Sequence, residues 1–409
     1  MTFDLRVLAP EQWDTLYDRL ERAFGGPADA PENRAQWRKV TEYDRTLAVW
    51  DGAEMIGTAG AFSFRMTVPG GALLPMPGVT MVSVAATHRR RGVLTSLMRR
   101  QLDDFRERGE ALAALTASEP AIYGRFGYGM ATRQLHGVID TTRTTFARPA
   151  GVENVRFRFV SPAGGLDACE AVYARLVPRR AGMLARQPGW ERRATLDPPG
   201  ERDGAGPLLC VLAEVDGEVR GYTRYATTAE WGMSGADETV RLRDVEALDP
   251  VTYAALWGFL GSIDLTSRIR FLSRPCDDPL QHLASDIRRC NLGYRDGLHL
   301  RLVDVGAALA QRTYTTPVDV VFAVEDAFCP WNSGNWRLTG DAKGAVCERT
   351  GDSAELALDV RELGTAYLGG FTLSGLAGAG LVRELRPGAL AEASAAFRGG
   401  SEPWLPHGF

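Results

Sequence analysis

The chain has 409 residues, too many for one hydrophobic core, and at roughly 150 residues per domain it divides into two or three. A composition of 45% hydrophobic and 24% charged residues is that of a soluble globular protein, and no apolar run approaches the ~20 residues needed to cross a bilayer. A net charge of −4 argues against nucleic acid, and the start, Met1-Thr2-Phe3-Asp4, lacks an apolar signal segment, so a cytoplasmic protein that binds no membrane is expected.

Pro10 to Phe24 carries Trp13, Leu16, Tyr17, Leu20 and Phe24 at helical spacing. Thr46–Trp50 and Met55–Val68 read as strands joined by an Asp51-Gly52 hairpin turn. A further β-rich strand covers Gly78–Ala85. A helix from Gly92 to about Arg108 then places Val93, Leu94, Leu97, Met98, Leu102 and Phe105 on one face. With a short strand at Leu112–Thr116, this order predicts an α/β unit over residues 1–145.

A fainter copy follows. Val211 to Gly221 parallels Thr46 to Gly57 around a second Asp-Gly turn, and Val245-Glu246-Ala247-Leu248-Asp249-Pro250 echoes Val84 to Arg89 before an apolar helix over Tyr253–Leu260. Where the first copy has Arg89-Arg90-Arg91-Gly92, the second has Asp249-Pro250-Val251-Thr252. The alternative is chance likeness around a common turn. A second, degenerate unit is therefore expected over residues 146–297. Beyond it the pattern changes: Asp304 and Asp359 cap helices over Val305–Gln311 and up to Tyr367, strands fall at Val318–Val324 and Glu355–Leu358, and Leu390–Phe397 is helical. Residues 298–409 read as a separate α+β domain.

The six cysteines have no CxxC spacing and the five histidines no paired array, so neither a disulfide framework nor a metal site is expected. The strongest local pattern is Val82 to Leu94, where a strand runs straight into three arginines and a glycine that open a helix. Free N–H groups and the dipole at a helix N-terminus form an anion site, Gly92 admits close approach, and Arg89, Arg90 and Arg91 add positive charge. A solvated basic turn is the plainer reading, and a dinucleotide turn is disfavoured because GxGxxG is absent.

Arg89-x-x-Gly92-x-Leu94 resembles the pyrophosphate loop of the GNAT acetyltransferases, departing from it at Leu94. Together with Ala114 to Gly129, which includes Ile122-Tyr123-Gly124-Arg125-Phe126-Gly127-Tyr128-Gly129, it resembles the Eis (enhanced intracellular survival) acetyltransferases. The likeness extends through Cys329-Pro330-Trp331-Asn332, Trp336-Arg337-Leu338, Tyr367-Leu368-Gly369-Gly370 and the aromatic C-terminus. It implies tandem GNAT-like domains followed by a sterol-carrier-protein-like C-terminal domain, with only the first binding acetyl-CoA, and a homo-hexamer. It also implies acetyl transfer to primary amines, notably of aminoglycosides. By motif position, Val82 and Val84 would bond the pantetheine through their backbones, and Arg89, Arg90 and Gly92 would hold the pyrophosphate. Ser83, Arg91, Val93 and Ser118 complete the implied cofactor set. Tyr123 would be the general acid and the carboxylate of Phe409 the base.

Transfer from a thioester needs a free amine and a proton for the departing thiolate, and a phenol can supply that proton while neutral at pH 7. Tyr123 is otherwise a core aromatic in a glycine-rich turn, Tyr128 reads as structural, and His88 as part of the helix start rather than a base. Asp29 and Glu32 offer acceptor carboxylates, while Phe24 and Trp37 serve either as aromatic walls or as core. Peptide lysine acetylation or a longer acyl-CoA is a rival within the same fold. A lipid-binding protein with vestigial transferase domains is a rival of another class.

Overall fold

The computed structural model describes residues 3–409 apart from 229, 230, 233, 234 and 237. Strand β1 (Asp4–Val7) precedes α1 (Trp13–Phe24), which buries Trp13, Leu16, Tyr17 and Leu20 and exposes Phe24. Helix α2 (Pro31–Val40) starts with proline in its first turn, where a missing N–H costs nothing. It lies in a stretch with no sequence assignment, because its surface is mostly polar and only Gln36 and Val40 are fully buried. Next come β2 (Leu47–Asp51), β3 (Glu54–Thr67), β4 (Leu73–Val84), α3 (Val93–Glu107), β5 (Leu112–Thr116), β6 (Gly129–Met130) and β7 (Arg133–Asp140). Strand β4 begins at Leu73 rather than Gly78; Pro75 and Pro77 hide its first half from a reading of alternation.

The middle of the chain supplies β8 (Arg156–Val160), α4 (Leu166–Leu176), β9 (Leu184–Ala185), β10 (Leu209–Val215), β11 (Glu218–Thr228), β12 (Trp231–Gly232), β13 (Gly235–Ala236), β14 (Glu238–Ala247), α5 (Pro250–Leu260), β15 (Thr266–Arg274), α6 (Leu280–Leu283) and β16 (Gly293–Asp296). The last part supplies β17 (Leu298–Leu302), α7 (Val305–Ala310), β18 (Val318–Glu325), β19 (Gly334–Asp341), β20 (Gly344–Arg349), β21 (Leu356–Asp359), α8 (Val360–Tyr367), α9 (Leu373–Gly378), β22 (Val382–Glu384) and α10 (Ala389–Phe397). Asp304 and Asp359 cap as expected, accepting from the N–H groups of Ala307 and Arg361.

The first sheet runs β1-β2-β3-β4-β5-β17-β6, the second β16-β7-β15-β14-β11-β10-β8, and the third β20-β19-β18-β21-β22. The second repeats the first: β10-β11-β14, crossover helix α5 and parallel β15 correspond to β2-β3-β4, α3 and parallel β5. The two sheets also exchange strands. β7, from the first unit, pairs with β15, whereas β17, more than a hundred residues later, fills the matching place beside β5. The linear division at residues 145 and 297 is therefore crossed in both directions. Arg301 on β17 is buried and ion-paired with buried Asp326 at 2.5 Å, and Asn332 donates to the same carboxylate at 2.9 Å. This bond ties the first sheet to the C-terminal domain, and the two share one core that runs from Phe62 and Met66 to Phe322 and Tyr367. Among the described residues no helix is long and apolar enough to cross a membrane.

Candidate active site

Parallel pairing of β4 with β5 is limited to Gly78–Ala114 and Val79–Leu115, while pairing of β4 with β3 continues to Val84–Gly57. The two parallel strands thus open into a fork. A bulge at Met81 and Val82, with Met81 at φ 52°, re-aims the end of β4. The Ala85 N–H donates to the Ile56 carbonyl, and the Thr58 hydroxyl donates to the Met81 carbonyl at 2.7 Å. Met81, Ser83 and Ala85 therefore turn toward β3, and by strand alternation Val82 and Val84 turn their main-chain groups toward the fork. Ser83 is buried with its hydroxyl 2.8 Å from that of Thr58, so its side chain faces β3.

Beyond Val84 the chain makes one 3-10 turn and reaches His88. Its imidazole lies 3.2 Å from Asp51 and 2.8 Å from the Thr87 hydroxyl, with Phe3 edge-on to it, a structural arrangement anchored on the β2–β3 turn. Arg89, Arg90 and Arg91 are exposed and, among the described residues, make no ion pair. Gly92 adopts φ 85°, a left-handed conformation that favours glycine, and an added Cβ would meet nothing within 4 Å. Val93 is buried in the core as the first residue of α3. No side chain caps the helix and no acidic residue occupies its first turn. The result is an uncapped helix N-terminus beside unpaired arginines, suited to a polyphosphate.

The second unit closes the same features with its own side chains. Asp249 caps α5, accepting from the Thr252 N–H at 2.8 Å. Arg274, on β15, reaches across to the Val245 carbonyl at 2.8 Å and is held by Glu246 and Asp278. Ala247 opposite Gly221 matches Val84 opposite Gly57, so Val245 is the counterpart of Val82, and the carbonyl corresponding to that open one is taken.

Tyr123 sits between two 3-10 turns after β5, its ring edge-on to Tyr128 at 6.2 Å. Val82, Leu94 and Tyr123 pack on one apolar cluster with Val79 and Met98, which brings the strand end, the helix start and the phenol together. Burial, reinforced by the charge of Glu119, raises the Tyr123 phenol above its ordinary value. Tyr128 is fully buried. Ser118 is exposed just past β5. At the other end of the chain, the Trp404 indole donates to Ser273 at 3.1 Å and its main-chain N–H to Ala181 at 3.0 Å. The Phe409 ring then lies 5.1 Å from that of Phe64.

Phe62, Phe64 and Trp190 form an aromatic cluster beside the terminus, with centroids 4.8 Å apart in both Trp190 pairs, and Trp37 stacks on Phe62. Trp37 is thus part of this wall, whereas Phe24 is 59% exposed. Asp29 accepts the Tyr17 hydroxyl, and Glu32 is exposed in the first turn of α2. Sequence reading missed Phe62, Phe64 and Trp190; the Phe62-Ser63-Phe64 alternation places the first two on one face, but nothing local points to Trp190.

Comparison with known proteins identifies the domains. Residues 4–131 and 182–302 each match a family model described as an acetyltransferase (GNAT) domain, and residues 305–406 match a sterol carrier protein domain. A Streptomyces avermitilis protein described as an uncharacterized N-acetyltransferase is 64% identical over the full length of both chains. N-acetyltransferase Eis of Mycobacterium tuberculosis is 33% identical, with 97% of each chain covered. The crystal structure of Eis1 from Mycobacterium abscessus superposes with a TM-score of 0.85 at 36% identity, covering all of both chains. The chain carries two GNAT-type domains followed by a sterol-carrier-like domain, and it belongs to the Eis family of GNAT N-acetyltransferases.

Proposed function

We propose that the protein transfers acetyl from acetyl-CoA to a primary amine at the β4–β5 fork, in one step within a complex of both substrates. The observation that carries this reading is the convergence there of an open strand edge, an uncapped helix N-terminus, Tyr123 and the chain terminus. The fit to acetyl-CoA rests on the donor set. Val82 and Val84 offer main-chain groups to an amide-bearing arm, and Arg89, Arg90, Arg91, Gly92 and Val93 offer charge and N–H groups to a diphosphate. Ser118 lies at the far lip, and Ser83, turned to β3 by both its main chain and its hydroxyl, holds the strand end in place without facing the cofactor. Acetyl-CoA supplies the activated acyl group as a thioester.

The terminal carboxylate of Phe409, of ordinary pKa ~3.3–3.7, is a weak base for an ammonium. Its role is to orient the amine and take its proton through water. Tyr123, kept protonated by burial, donates to the departing sulfur. Direct transfer is favoured over an acyl-enzyme because a nucleophilic thiol must ionise. Burial raises Cys276 and Cys290 to about 11 and Cys347 to about 12, and it raises Cys329 as well. Cys169 and Cys210 face each other inside the second unit.

An aminoglycoside-like polyamine is the acceptor that the family resemblance suggests, and a peptide lysine is the other class. A homo-hexamer is the proposed assembly; the edge strand β8 exposes Phe157 (39%) and Phe159 (60%), which suits an interface between copies. The test is release of free CoA from acetyl-CoA across a panel of aminoglycosides, polyamines and lysine peptides. Release that depends on an amine and yields an acetylated product is expected; CoA release indifferent to every amine would overturn the reading.

A further inference from the structure

A cavity of ≈ 240 Å³ opens behind the chain terminus, between Trp190 of the aromatic cluster and strands β11 and β14. It is smaller than the ~300–1,000 Å³ of a pocket that takes a whole drug-sized ligand, so it holds one end of a molecule. His407 and Gly408 form one side, and three arginines, Arg186, Arg193 and Arg243, form much of the rest. The carboxylates in its wall are already committed, Asp244 to Arg224 at 2.5 Å and Glu246 to Arg274 at 3.0 Å.

Two of the three arginines have partners as well. Arg186 pairs with Glu170 at 3.2 Å, and Arg243 donates to the Leu196 carbonyl at 2.6 Å. Arg193 differs. Its guanidinium lies over the Trp37 ring at 3.6 Å, yet among the described residues it has no carboxylate at ion-pair distance, and its buried Nη1 has no hydrogen-bond partner. The nearby carboxylates are engaged elsewhere: Asp29 accepts the Tyr17 hydroxyl, and Glu201 accepts the Ala30 N–H at 2.7 Å and the Asn33 amide. The face of Trp37, where a cationic acceptor would dock by cation–π attraction, is thus occupied by a fixed positive charge of the protein.

We infer that the acceptor amine carries an anionic group, a carboxylate or a phosphate, which Arg193 receives in this cavity while the amine end points to the terminus. The inference rests on the acyl-transfer reading above and replaces the polyamine acceptor that the family resemblance suggests with an anionic one. An anion supplies the partner that the buried Nη1 lacks, and a bidentate oxyanion matches the fork of a guanidinium. His407 reports the same field: burial, then the charges of Arg186 and Arg193, push its imidazole down to about 3, so an added positive charge is disfavoured there. The chemistry of transfer is unchanged. The amine nitrogen bonds the acetyl carbon as the carbon–sulfur bond breaks, the amine gives up a proton, and the sulfur gains one.

The test uses the full-length enzyme, acetyl-CoA and four acceptors sharing a six-carbon amine chain: 6-aminohexanoate, 6-aminohexyl phosphate, hexylamine and 1,6-diaminohexane. At least one anionic acceptor is expected to exceed the diamine in kcat/KM by ~10-fold or more, chiefly through KM, and the ranking of carboxylate against phosphate identifies the group. Arg193→Gln should bring the ratio toward one without weakening acetyl-CoA binding, and Arg193→Lys should keep much of it. A wild-type enzyme that uses the diamine as well as the anions, or a preference untouched in Arg193→Gln, overturns this inference and leaves acetyl transfer standing. Failure on all four with acetylation of an aminoglycoside or lysine peptide overturns this inference alone, and failure on every amine of both panels overturns the acetyl-transfer reading and this one with it.

Discussion

A Cβ built on Gly78 would lie 2.8 Å from the Phe409 ring and 2.6 Å from that of Phe64. The last residue of the chain is therefore seated against the first of the two residues that pair β4 with β5, just before the strands part. Phe64 is fixed in the core, so a side chain at this position displaces the terminus. Gly78→Ala should cost about 1–3 kcal/mol of stability through overpacking and lower kcat, with the loss read by steady-state kinetics below the melting transition. Unchanged kcat in a destabilised variant would separate the seat of Phe409 from catalysis.

Appending a few residues after Phe409 moves the negative charge and leaves the Trp404 anchor in place. The expected result is an unaltered melting temperature, normal acetyl-CoA binding and a kcat lowered by ~10²-fold or more. Full activity in the extended protein removes the terminal carboxylate from the mechanism.

Tyr123→Phe keeps the ring in its cluster and removes only the proton. A fall in kcat of ~10²-fold or more is expected with little change in acetyl-CoA affinity. The wild-type rate should also hold well above neutral pH before declining, because the raised pKa delays loss of the phenolic proton.

Titration calorimetry should find one acetyl-CoA site per chain, because the second unit fills its helix N-terminus with Asp249 and its fork with Arg274. Gly92→Asp places a carboxylate at the first unit's helix start, where a Cβ meets no atom within 4 Å and the left-handed backbone costs a side chain about 1 kcal/mol, so the fold should survive with a modest loss of stability. Loss of binding without loss of folding is expected; two sites, or unimpaired binding, would contradict the assignment.

His407 is neutral in the folded protein down to about pH 3, whereas its ordinary value is 6.5. Between those values the unfolded chain takes up a proton that the folded chain refuses, so stability falls as pH falls through this window. His407→Asn should flatten that part of the acid limb relative to wild type. The carboxylates common to both proteins cancel in the comparison, which is read as the melting temperature across a pH series.

The sequence made the chemistry-bearing segment legible because it is local. A strand, a basic turn and a helix start follow one another within Val82 to Leu94, and the Asp304 and Asp359 caps are equally local. The repeat was legible at its Asp-Gly hairpins and in the contrast between Arg89–Gly92 and Asp249–Thr252. Helix α2 escaped because its polar surface gives weak periodicity, and the β19–β20 hairpin went unassigned although β19 pairs with the expected strand β18. The aromatic cluster draws on three stretches more than a hundred residues apart, Trp37 to Phe64, Trp190 with Arg193, and Phe409, and only tertiary packing brings them side by side.

The exchange of β7 and β17 sets the order in which this protein becomes an enzyme. β5 ends at Thr116, but its antiparallel neighbour begins at Leu298, so the edge of the first sheet stays open while residues 117–297 are synthesised. At ~5–20 residues per second that wait is roughly 10–40 s on the ribosome. During that time Leu112 to Thr116 present bare backbone to any passing strand, including one from a neighbouring nascent chain. A chain stopped at residue 145 should therefore emerge as an aggregation-prone fragment rather than as a small transferase, and Phe409, which packs on Phe64, arrives last of all.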